Sequence, residues 1–245
     1  MFGPTLDRLA APKFFYPFAG RLLPYLAWLA AGLLLLGAGW GLAVAPADYQ
    51  QGDSYRIMFI HVPAAWLSML TYMVMAGGAF VFLVWRIKLA DMLAKCCAPL
   101  GAAFTVLTLA TGSLWGKPMW GTWWAWDARL TSELVLLFLY LGLIGLRGAI
   151  DEPQRAGRAT ALLALVGVVN IPIIHFSVDW WNTLHQPASL TRMDGPAIHP
   201  AMLTPLLLMI AGFTVYFLAV LLQRLRCEIL QREQQARWLA ELDAP

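Results

Sequence analysis

The chain has 245 residues, 60% of them hydrophobic and 13% charged, about half the charged share of an ordinary soluble domain. A mean hydropathy of +0.65 and several uncharged runs near the ~20 residues that cross a bilayer core exclude a water-soluble globule. The net charge of +3 forms no basic cluster apart from the membrane ends, so nucleic acid is excluded as a partner and the lipid bilayer and membrane proteins remain.

Six apolar runs follow in chain order, at 22–45, 57–85, 96–114, 130–146, 159–176 and 201–222. They predict an all-α integral membrane protein with a single six-helix domain over residues 1–245. The first run follows Arg8, Lys13 and Arg21 and ends in Ala43-Val44-Ala45, like a cleavable signal. It is too long for a signal core of about 7–15 residues, so a retained anchor is expected. From Gln223 onward, helix formers with mixed charge predict a helix extending the last span.

Lys and Arg set the orientation, because short cytoplasmic segments collect them. The N-terminal segment holds Arg8, Lys13 and Arg21, and the second connection Arg86, Lys88 and Lys95. The fourth holds Arg147, Arg155 and Arg158, and the tail Arg224, Arg226, Arg232 and Arg237. The opposite side has only Arg56, Lys117, Arg129 and Arg192. Both termini are therefore expected in the cytoplasm. Cys96, Cys97 and Cys227 fall on that reducing side and read as apolar filler.

Two outer connections, 115–129 and 177–200, are long and aromatic, as functional loops tend to be. The first, between the third and fourth spans, carries Trp115, Trp120, Trp123, Trp124 and Trp126, five of the chain's twelve tryptophans, and ends at Asp127. A membrane interface uses one or two tryptophans per helix end. Five, interleaved with Gly116, Pro118 and Gly121, suggest an apolar platform for a large flat ring such as haem.

Haem iron takes axial ligands, commonly His, and haem propionates need cations. His61, about five residues beyond Arg56, lies less than ~10 Å deep at the outer start of the second span; His185 lies in the other long outer loop. As a pair flanking the platform they are the candidate iron ligands. His175 and His199 read as a helix-bonded and a helix-entry residue. Arg56 and Arg129 stand at outer helix ends, where a guanidinium can clamp a propionate or, equally for either one alone, snorkel to lipid headgroups; Arg129 and Glu133 are also spaced to pair along one helix. Asp127 reads at least equally as the N-cap of the fourth span. No Cys-x-x-Cys-His occurs, so any haem is non-covalent.

Trp115 to Asp127 followed by Ala128-Arg129-Leu130-Thr131-Ser132-Glu133, with His61-Val62-Pro63 and Trp180-Trp181-Asn182-Thr183-Leu184-His185-Gln186, resembles the WWD family of haem-handling membrane proteins. Within it, the chain is similar to the cytochrome c maturation protein C branch along nearly its whole length. The resemblance implies haem b held transiently at the periplasmic face of a bacterial inner membrane, with His61 and His185 as axial ligands against the tryptophan loop. It implies delivery to a periplasmic haem chaperone in c-type cytochrome biogenesis. A small single-span helper and an ABC transporter with membrane and ATPase subunits are the other implied partners, and the role is binding and transfer rather than catalysis. The residues alone leave two alternatives: an electron-carrying b-type cytochrome subunit, whose histidines usually lie deeper, and a permease, for which Asn170 and Pro172 in the fifth span are the polar and broken-helix signals.

Overall fold

A computed structural model describes residues 10–185, 190, 195 and 197–242, the last three without side chains; Arg8, Gln186 and Arg192 lie outside the described residues. The helices are α1 (Pro12–Gly39), α2 (Met58–Trp85), α3 (Lys88–Trp120), α4 (Ala128–Gly148), α5 (Pro153–Gly167), α6 (Asn170–Trp180), α7 (Pro200–Arg232) and the short α8 (Arg237–Leu242). Among the described residues, six segments are long and apolar enough to cross a membrane, α5 and α6 together forming the fifth.

Local chemistry explains where these helices change. α1 passes into a π-helical turn at Trp40–Val44, closed by the Ala45 amide on the Trp40 carbonyl at 2.9 Å, just before Pro46. A 3₁₀ turn, Asp53–Ile57, then leads into α2. The third helix runs six residues past the expected end at 114, so Trp115 to Trp120 are helical and the irregular part of the tryptophan segment is 121–127. Pro118 removes only the bond to Leu114 and does not stop the helix. Gly121 stops it, in the left-handed conformation at φ 76°. The fifth span breaks at Val168-Val169, where Pro172 leaves the Val168 carbonyl without its helical donor; the Ile171 amide takes it instead at 3.0 Å. The last span continues to Arg232, and α8 follows as a separate turn rather than one extended rod.

The main pairings are α1 against α7 and α2 against α3. Side chains between membrane helices pack closely where one partner is small: Tyr140 lies over Gly101, where a Cβ would collide with its ring. Tyr140 also meets Tyr72 edge to face at 5.2 Å and donates to the Ser68 carbonyl at 2.8 Å. These two fully buried tyrosines fill the middle of the bundle. Asn170 stays inside by donating to the Ser132 carbonyl at 2.9 Å.

At one end, α3, α4 and α7 are tied by buried ion pairs. Asp91 takes Arg147 and Arg232, each at 2.7 Å, while Glu228 takes Lys95 at 2.7 Å and Arg232. The other end gathers the 3₁₀ turn, residues 121–127, the C-terminus of α6 and the N-terminus of α7.

Candidate haem-ligating site

That second end contains an open cavity of about 990 Å³. His61 enters it from the first turn of α2 and His185 from the chain after α6; Trp115 and Arg129 also line it, with Met58, Met202 and Leu206 among its apolar wall. The histidines are 124 positions apart in sequence, yet both line this one cavity with Arg129.

Each imidazole is oriented through Nδ1. The Thr111 hydroxyl donates to the Leu107 carbonyl at 2.6 Å, so it accepts from His61 Nδ1–H at 3.0 Å. His185 Nδ1 lies 3.1 Å from Asp127 Oδ2, which also accepts from the Thr183 hydroxyl at 2.6 Å. Acceptors on both Nδ1 atoms fix the tautomer that leaves Nε2 with a lone pair, as a metal-bound histidine requires. Asp127 is also the N-cap: its Oδ1 accepts from the Leu130 amide at 2.8 Å. Burial raises the Asp127 carboxyl, but the Thr183, Leu130 and His185 hydrogen bonds outweigh it and leave the group below its ordinary 3.8. Burial holds the His185 imidazole below 6.5, against the opposing pull of Asp127.

The tryptophans divide into two sets. Trp115 donates to Gln51 Oε1 at 2.9 Å and meets His61 edge-on at 5.7 Å; Trp120 meets His185 edge-on at 4.8 Å. These two, a little over one turn apart at the end of α3, buttress one imidazole each. Trp123 and Trp126 are 55% and 77% exposed and do not line the cavity, and Trp124 packs on Trp126 at 5.4 Å. Of the five, Trp115 alone lines the cavity, so they do not form one continuous shelf.

The two candidate arginines also separate. Arg129 lines the cavity. Arg56 does not; its guanidinium donates to the Gly41 carbonyl, to the Ala45 carbonyl at 2.9 Å and to Asp53 at 2.9 Å. It satisfies the carbonyls left by the π-helical turn and joins α1 to the 3₁₀ turn, so its donors are not turned toward a propionate. His175 and His199 line the cavity too, His199 while capping α7 through Ala201 at 3.3 Å. Sequence reasoning missed Thr111 and Thr183. A hydroxyl one turn from a predicted helix end carries no signal until its distant partner is known.

The described residues thus form a multi-pass helical bundle with two oriented imidazoles and an arginine in one terminal cavity. A model of the heme exporter protein C family matches residues 5–240, and the chain belongs to that family. It is 53% identical to heme exporter protein C of Escherichia coli strain K12 over 97% of this chain and 96% of that one. It is 56% identical to heme exporter protein C of Bradyrhizobium diazoefficiens over 93% and 86%. A ccmC-like mitochondrial protein of cytochrome c biosynthesis from Marchantia polymorpha is 46% identical over 76% and 77%.

Proposed function

We propose that this chain holds haem b, non-covalently and in transit, between His61 and His185 at the periplasmic face of a bacterial inner membrane, and delivers it to a periplasmic haem chaperone in c-type cytochrome biogenesis. The observation that carries this reading is the pair of imidazoles in one cavity, each with Nδ1 engaged and Nε2 left for iron. Arg129 supplies the cation for a propionate. Trp115 and Trp120 keep the ligand rings upright, and Trp123, Trp124 and Trp126 present an aromatic edge to the incoming chaperone. The surplus of Lys and Arg at the other end of the bundle supports cytoplasmic termini and a periplasmic cavity. A single-span helper and an ABC transporter that releases the loaded chaperone complete the assembly. The chain's part is binding and transfer, with no catalytic residue assigned.

The broken fifth span favours passage of a hydrophobic solute through the bundle. Tyr72 and Tyr140, filling the interior beneath the cavity, favour a site loaded and emptied from one end. The test is the absorption spectrum of purified protein, oxidised and reduced, before and after adding the haem-free chaperone. His61→Ala and His185→Ala should each alter the spectrum and slow transfer; wild-type spectra and transfer in both variants would overturn the reading. A b-type electron carrier would keep its haem when the acceptor is added.

A further inference from the structure

The ion-paired end of the bundle encloses a second cavity, of about 1330 Å³, between α2, α3, α4, α5 and α7. Its deep wall is apolar, including Met75, Ala79, Leu143 and Ala164. Met75 precedes Arg86 by eleven residues, about 16 Å along the helix, so the hollow reaches well into the hydrocarbon layer. Its rim is cationic: seven lining residues are Lys or Arg and four are Asp or Glu.

Most of these charges are already matched. Arg147 and Arg232 hold Asp91, Lys95 holds Glu228, and Lys88 faces Glu233 at 3.8 Å. Arg86, Arg158 and Arg224 have no ion pair among the described residues, against one remaining acid, Asp151. The paired charges make a fixed floor, and the unpaired arginines give the rim a net positive charge.

Arg86 adds an independent observation. At the C-terminus of α2 it adopts φ 56°, alone among the described non-glycine residues in having positive φ, with its amide on the Phe82 carbonyl at 2.8 Å. Glycine takes this position at little cost, whereas an arginine is strained there. The strained backbone holds a cation at the cavity rim.

We propose that this cavity is a binding site for an anionic phospholipid, its phosphodiester at the Arg86, Arg158 and Arg224 rim and its acyl chains along the apolar wall. Basic pockets between membrane helices recognise such head groups. A soluble anion would leave the deep wall facing water. A porphyrin would find no imidazole, since no histidine lines this cavity.

Native mass spectrometry of the delipidated full chain tests the site with phosphatidylglycerol, phosphatidylcholine, inorganic phosphate and haem as separate probes. Phosphatidylglycerol should be retained at least tenfold better than phosphatidylcholine. Each Arg→Gln change at 86, 158 or 224 should weaken retention about fivefold, and the triple change about 100-fold. Arg155→Gln, outside the cavity, should leave it unchanged. Arg86→Gly relieves the backbone strain while removing the charge, so it should raise Tm yet lower retention, which keeps the test decisive if the triple variant does not fold. Equal retention of both lipids, competition by inorganic phosphate as strong as by phosphatidylglycerol, or displacement by haem at equal concentration would each overturn the proposal.

Discussion

Asp127 Oδ2 lies 3.1 Å from His185 Nδ1, while Oδ1 of the same carboxylate caps α4 at the Leu130 amide. The two functions separate by substitution. Asn caps a helix about as well as Asp, so Asp127→Asn should lower Tm only by the loss of the charge-assisted Thr183 and His185 bonds while weakening haem affinity about 10- to 100-fold, as loss of an orienting partner does. Asp127→Ala should add a cap loss of about 0.5–2 kcal/mol. Haem titration and thermal unfolding on the same preparations separate the two effects; an Asn variant with wild-type affinity would contradict the orienting role.

The same pair sets a pH dependence. His185 is held below 6.5 and Asp127 below 3.8, so each binds its proton less readily in the folded chain than in the unfolded one. The stability they contribute is present above those ordinary values and lost as pH falls through the lowered ones. Neutral imidazole is the ligating form, so haem retention should hold at 6.5 and decline only at more acid pH. Asp127→Asn removes the pull toward imidazolium and should move that decline further to the acid side, even with weaker affinity at neutrality. Movement toward the alkaline side would contradict the assignment.

Thr111 is the corresponding acceptor for His61. Thr111→Val keeps the shape but removes the oxygen, leaving Nδ1–H without its partner at a cost of about 1–3 kcal/mol. The absorption bands of bound haem should shift and its dissociation should quicken. Thr111→Ser should restore both, and failure of that rescue would assign the effect to packing.

Arg56 and Arg129 are expected to diverge. Arg56→Ala strips donors from the Gly41 and Ala45 carbonyls and should lower Tm with bound-haem spectra unchanged. Arg129→Ala should lower haem content while leaving the axial bands in place. Equal haem loss in both variants would return Arg56 to the cavity; unchanged haem content in Arg129→Ala would remove the propionate clamp.

The six spans were legible because run length and uncharged composition are enough to specify a membrane helix. The Asp127 cap was legible for a similar reason, since it lies one residue before its helix. The end of α3 was not, because Gly116 and Pro118 look like turn residues while the terminating backbone sits at Gly121. Arg56 misled for a different reason: the carbonyls it serves belong to a π-helical turn that leaves no pattern in the residues. The convergence of His61 and His185 was inferred from membrane sidedness, but their acceptors were hidden, since Thr111 and Asp127 lie 50 and 58 positions from the imidazoles they orient.

Because one carboxylate divides its oxygens between a helix start and an imidazole, the His185 side can let go without unravelling the fourth span. Oδ1 would keep its amide were Oδ2 to surrender the ring. His61, embedded in a continuous helix, has no such freedom. In a hand-over, the acceptor's ligand would then displace the loop imidazole, and the helix-borne one would keep hold of the cargo until the exchange is complete.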